Sequence, residues 1–149
     1  MPSNIKEQVH QHYGNRIRVR TCGVLIQDQK ILMLKHDGIG KKDYFWNVPG
    51  GGLEKGENLV KGLEREFLEE TGLKIEVKKL LCLNQYIVPP LHAIEYYFLV
   101  EKVAGNAKLG HDPEMVSILS ELNWFNQNDF MDLDPECKPN FLLKYLNID

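Results

Sequence analysis

Residues Gly51–Leu73, GGLEKGENLVKGLEREFLEETGL, decide how the rest of the chain is read. A glycine run passes through an acidic loop into a helix with legible ends: Asn58 is a good N-cap, and Gly72 is a good stop just past the last turn. At 100° per residue, Glu66, Glu69 and Glu70 fall within an arc of about 100° on that helix. Val60, Leu63 and Phe67 form an adjoining apolar face that should pack on a sheet. Like charges at i, i+3 and i+4 repel one another, and these stand near the end of the helix dipole that disfavours anions. A divalent cation, Arg65 or plain solvation can offset this. Hard oxygen donors suit Mg²⁺ or Mn²⁺, and a solvated acidic helix face is the competing reading. The glycines favour a site, because they permit close backbone approach and feed the acidic helix directly.

Outward from this stretch, strands alternate with helices. Residues 16–26 and 31–34 read as a hairpin around Asp28-Gln29-Lys30. Residues 44–48 are an aromatic strand that Pro49-Gly50-Gly51-Gly52 should break. Residues 74–83 and 92–101 read as strands separated by Pro89-Pro90. A turn at 104–106 leads to an acidic loop around Asp112-Pro113-Glu114, and Leu122–Phe125 is a last short strand. Helices are expected at 4–13, ending at Gly14, and at 139–147. With no repeat and no linker, the pattern predicts an α/β fold: a mixed β-sheet with packed helices in one domain over residues 1–149.

Composition narrows the function classes. With 43% hydrophobic and 26% charged residues, the chain is not of the disordered type. A net charge of -3 gives no support for a nucleic-acid or membrane partner. The charge is uneven, however: residues 1–50 carry eight basic and four acidic side chains, and residues 51–70 carry three and six. Arg16, Arg18 and Arg20 share one strand face, and guanidinium forks suit phosphates. Protection of a strand edge by charge is the alternative. Cys22, Cys82 and Cys137 are odd in number and form no C-x-x-C, so neither a disulfide framework nor a zinc site is indicated. The N-terminus has no apolar run of the signal-peptide kind, and no stretch is long enough to span a bilayer. A cytoplasmic location is the expectation.

The stretch resembles the Nudix box: Gly, five residues, Glu, seven residues, then Arg-Glu-aliphatic-any-Glu-Glu-any-Gly-aliphatic. Gly51, Glu57, Arg65, Glu66, Glu69, Glu70, Gly72 and Leu73 match in type and spacing, with Phe67 and Gly62 as departures that remove no ligand. The resemblance implies an α/β/α sandwich that uses Mg²⁺ or Mn²⁺ to hydrolyse a nucleoside diphosphate linked to another moiety, releasing a nucleoside monophosphate. It implies Glu66, Glu69, Glu70 and the Gly50 main-chain carbonyl as metal ligands, with Glu57 and Arg65 in support. Glu69 is the first choice of general base, and Glu114 and Glu121 are the alternatives on later segments. For a small nucleotide substrate, Arg18 and Arg20 are candidates for the phosphates. One of Tyr44, Phe45 and Trp46 could stack on a base while the other two are core under strand alternation, and Tyr44 and Trp46 are the first choices; Tyr86, His92 and Trp124 are undecided. The substrate could be a nucleoside diphosphate sugar, ADP-ribose or a (deoxy)nucleoside triphosphate. A non-catalytic nucleotide sensor and an RNA-end or cap hydrolase are the other readings. The intact carboxylates weigh against the first, and the lack of a basic tail against the second. A monomer and a homodimer are both compatible with the sequence.

Overall fold

A computed structural model describes residues 4–110 and 118–146. Helix α1 (Ile5–Tyr13) starts where Asn4 accepts a hydrogen bond from Glu7 N at 2.8 Å, and it ends before Gly14. Strand β1 (Ile17–Gln27) turns through Asp28 and Gln29, both at positive φ, into β2 (Lys30–Asp37). That turn geometry matches the right-handed twist of the two strands. Strand β3 (Tyr44–Asn47) stops before Pro49, but the glycines behind it do not end the strand structure. Gly50–Gly52 form β4, antiparallel to β1 with Gly51 opposite Thr21. A side chain on Gly50 would begin 2.2 Å from the Thr21 carbonyl oxygen, so only glycine lets the two backbones approach.

Helix α2 (Leu59–Thr71) has the ends that the sequence predicts. The Asn58 side chain accepts from Lys61 N at 2.8 Å, and Gly72 sits at φ 73° with its N–H on Leu68 O. Strands β5 (Lys74–Val88) and β6 (Leu91–Ala104) are longer than expected, because their pairing runs to Val88 opposite Leu91 at the Pro89-Pro90 connection. After β7 (Leu119–Phe125) comes a helix that the sequence reading missed, α3 (Gln127–Asp132). Its signal is a capping box in which Asn126 and Asp129 bond each other's backbone N–H. The expected closing helix is a 3₁₀ turn, Asn140–Leu142, followed by α4 (Leu143–Leu146). The acidic loop around Asp112-Pro113-Glu114 lies outside the described residues.

The strands form a mixed sheet in the order β3-β2-β1-β6-β5, with β4 added to β1 and β7 to β2. The β1–β6 pair is parallel and the other pairs are antiparallel. On one face α2 buries Leu63 and Phe67 against Leu25, Leu32, Phe98 and Val100. On the other, Phe130 of α3 and Leu142 and Leu146 pack on Val24, Met33, Trp46 and Tyr97. Each fully buried side chain of this kind contributes about 1.5–3 kcal/mol. Val60 is not part of the α2 face, being 40% exposed. The first turn is anchored instead by Leu59, which packs on this core and whose carbonyl accepts from Thr21 Oγ1 at 3.1 Å. A third cluster ties α1 to the sheet through Val9, Tyr13, Leu91 and Ile118.

Among the described residues, no helix is long and apolar enough to cross a membrane. All three cysteines are unpaired, and burial pushes the Cys22 thiol up to about 12, well away from thiolate reactivity.

Candidate active site

The glycine strand and α2 meet where β4 lies along β1. The Glu66 carboxylate lies over Gly51: a side chain there would begin 2.4 Å from Glu66 Cδ. Glu70, buried one turn on, accepts a hydrogen bond from Gly50 N at 2.8 Å. Gly50–Gly52, Glu66 and Glu70 thus make one wall of a single cleft.

Arg65 works behind that wall. It grips Glu57 in a two-pronged bond, Nε to Oε2 at 2.7 Å and Nη2 to Oε1 at 3.0 Å. It also reaches Glu69 at 3.3 Å and Glu66 at 3.3 Å. The loop before α2 is thereby tied to the carboxylate face, a supporting task for Arg65 and Glu57. The hydrogen bond from Arg65 holds the Glu57 carboxyl below its usual range. A depressed native pKa contributes stability above the unfolded pKa of about 4.3, and this is lost as pH falls through the native value. Glu57→Gln should therefore cost about 1 kcal/mol at pH 7, the difference between a charge-assisted and a neutral bond. The deficit should shrink as pH falls below the unfolded carboxyl value, and vanish once wild-type Glu57 is itself protonated. Urea unfolding at a series of pH values checks this; a deficit constant down to pH 3 would sink it.

Strand register supplies the floor. Arg18 of β1 is opposite Ala93 of β6, which is opposite Tyr86 of β5, and Arg20, Glu95 and Asn84 form the next row. The Arg18 guanidinium lies 3.9 Å from the centre of the Tyr13 ring, and its Nη2 stands 2.8 Å from where a side chain on Gly52 would begin. Arg20 is more deeply held, paired to a Glu95 that is 2% exposed. Glu95 also accepts from Asn84 Nδ2 at 3.0 Å and from the Tyr97 hydroxyl at 3.1 Å, and Asn47 Nδ2 donates to that hydroxyl. Burial pushes the Tyr97 phenol well above its usual pKa, so it stays a donor. Beyond this network the cleft becomes apolar and aromatic, with Phe45, Tyr86, Ile39, Leu91 and Ile118.

The structure therefore brings Arg18, Arg20, Gly50, Glu66 and Glu70 to one cleft, together with the undecided Tyr86 and His92. It does not bring Tyr44 and Trp46 there. Trp46 is core, edge-to-face with Phe125 at 5.0 Å, and Tyr44 packs at the rim of that core beside Lys35. Strand alternation turns their neighbour Phe45 into the cleft instead. Trp124 lies against the α2-side core, and Glu121 pairs with Lys35 at 3.4 Å on β7. Glu69 faces Arg65 and is not part of the cleft lining. Sequence reasoning missed Tyr13, Asn47 and Glu95 as cleft residues. Of these, only Glu95 carried a signal, a lone carboxylate in the apolar run Leu91–Val100.

The donor set suits a divalent cation in its chemistry: the Glu66 and Glu70 carboxylates lie against the glycine backbone, and the missing side chain of Gly51 makes room for the Glu66 carboxylate. Among the described residues, no three His, Cys, Asp or Glu side chains stand together as a preformed cage. Arg65 draws Glu69 aside, and Gly50 N holds Glu70.

Known proteins resemble this chain in sequence and in fold. The chain is 36% identical over 98 residues to an ADP-ribose pyrophosphatase of Methanocaldococcus jannaschii, covering 63% of this chain and 56% of that protein, so it spans little more than half the relative's length. It is 32% identical over 109 residues to an 8-oxo-dGTP diphosphatase of Buchnera aphidicola, covering 70% of this chain and 79% of the relative. A solved NUDIX hydrolase from Nitrosomonas europaea shares the fold with a TM-score of 0.70 at 21% identity, over 87% of this chain and 85% of that one. The family description "NUDIX domain" matches residues 16–145, which hold the whole of the box from Gly51 to Leu73, and the chain belongs to that family.

Proposed function

We propose that the chain is a pyrophosphohydrolase that cleaves a nucleoside diphosphate derivative with the help of Mg²⁺ or Mn²⁺ and releases a nucleoside monophosphate. The observation that carries this reading is the shared cleft: Glu66 and Glu70 against the Gly50–Gly52 backbone, Arg18 on the rim, and an aromatic recess beyond. Glu66, Glu69, Glu70 and the Gly50 carbonyl would hold the cation. When bound, such an ion neutralises phosphate charge and lowers the pKa of water. Arg18 is placed to meet a phosphate with a charged fork. Arg20, whose charge is matched by Glu95, shapes the floor more than it adds positive charge. A water attacking phosphorus must give its proton to a nearby carboxylate. Glu69 is partly exposed, stands on the same helix face as Glu66 and Glu70, and is held to Arg65 only at 3.3–3.4 Å, and it is the carboxylate we assign as base.

The two relatives' named substrates share a nucleoside joined to a phosphoanhydride, and this shared chemistry is what we carry over. Three unpaired thiols suit a reducing compartment such as the cytoplasm. The test is a panel of nucleoside diphosphate sugars, dinucleoside polyphosphates and nucleoside triphosphates with Mg²⁺ or Mn²⁺, with products identified. A nucleoside monophosphate is expected from at least one substrate, and a chelator should abolish turnover. Nucleotide binding without turnover anywhere on the panel would identify a sensor instead.

A further inference from the structure

The aromatic end of the cleft contains a polar atom that the described residues leave unmatched. The Tyr86 hydroxyl is shut off from solvent, and among the described residues nothing hydrogen-bonds it. An unmatched buried hydroxyl destabilises a fold, and a ligand that enters the cleft can supply the missing acceptor. The acceptor nearest in register cannot serve. Both Glu95 oxygens are committed, one to Arg20 and the other to Asn84 and Tyr97. The ring is fixed edge-to-face on Phe45 at 5.4 Å, and the hydroxyl sits under Gly40, 3.5 Å from where a side chain there would begin.

Position makes the hydroxyl useful. In the row Arg18-Ala93-Tyr86 the middle side chain is a single methyl, so the row is high at both ends and low at its centre. Neighbouring strands are about 4.8 Å apart, so Arg18 and Tyr86 flank that gap at about 10 Å. The glycine strand lies one strand further out, about 14 Å from β5. A molecule that fills this cleft is therefore extended, with an anionic end at Gly50–Gly52 and an aromatic end at Phe45 and Tyr86.

We propose that the Tyr86 hydroxyl determines specificity by hydrogen-bonding the nucleoside end of the substrate as it lies over Ala93. This rests on the pyrophosphohydrolase reading. Tyr86 acts on binding and selectivity and takes no part in cleavage. A group that reaches the hydroxyl must lift the 38–43 loop, so ligand binding and loop displacement occur together.

Tyr86→Phe removes the hydroxyl and nothing else. Calorimetry with Mg²⁺ should compare two probes on wild type and variant: the tightest binder among ADP, GDP, CDP and UDP, and inorganic pyrophosphate. The expected result is a rise of about three- to tenfold in the nucleoside diphosphate Kd, with the pyrophosphate Kd unchanged. The ligand-free Tm of the variant should equal or exceed that of wild type, since an unmatched group has been removed. A merely structural tyrosine would lower Tm. Ala93→Val should likewise weaken the nucleotide and spare pyrophosphate. Unchanged nucleotide affinity in Tyr86→Phe, or equal weakening of both probes, overturns the proposal. If wild type binds neither probe, the pyrophosphohydrolase reading itself fails and this inference goes with it.

Discussion

Glu70→Gln is expected to lower kcat by at least about 10²-fold, the range for loss of a metal ligand or an acid–base group. The thermal midpoint should stay within a few degrees of wild type. Glu70 is 4% exposed and accepts a hydrogen bond from Gly50 N at 2.8 Å. A glutamine oxygen can accept the same bond, so the joint between loop and helix survives. What disappears is a negative charge one turn from Glu66, and relief of that repulsion offsets any weakening of the bond. Activity and stability should therefore separate: one collapses while the other holds. Glu69→Gln should lose as much activity, through the proton it would accept together with its share in holding the ion. Both variants working near the wild-type rate, on whichever substrate wild type turns over fastest, would remove the assignment of the metal site.

Phe67→Ala should give the largest loss of stability, about 3–5 kcal/mol. Its ring is wholly buried, and it sits on the backbone of β1 at Gly23, where an added side chain would begin 2.7 Å from Phe67 Cε2. Sheet and helix are held apart by that ring. Leu63 and Leu25, which pack in the same cluster, are themselves wholly buried and anchored on the helix and on β1, so the space is filled only in part. The midpoint should fall on the order of 10 °C for a chain of this length. A urea-unfolding loss below 1 kcal/mol would mean that α2 is not seated as described.

What the sequence makes legible is what is encoded locally. The helix ends rest on one asparagine and one glycine, and the box rests on spacings along a single segment, so both can be read without knowing a partner strand. Val60 misleads because helical phase alone cannot say where the helix overhangs its sheet. Tyr44 and Trp46 mislead for a related reason: alternation says that one face of the strand differs from the other, but not which face looks into the cleft. Tyr13, Glu95 and Tyr86 become neighbours only through the pairing of β1, β5 and β6 and the docking of α1, and no local spacing carries that information. Helix α3 is short, and its capping signal lies in a polar stretch where a turn is an equal expectation.

The parallel β1–β6 pair has a consequence in time as well as in space. Arg18 meets Ala93, and Arg20 meets Glu95, across a separation of 75 residues, whereas α2 and the β5–β6 hairpin close on their near neighbours. Closing a long loop costs entropy before any contact repays it, and such pairings come slowly. The floor of the cleft is therefore expected to be assembled late, after the box helix already exists. A nascent chain would carry its acidic face for some time before it had a pocket to use it in, and nucleotide added during refolding should raise final stability without speeding the early steps.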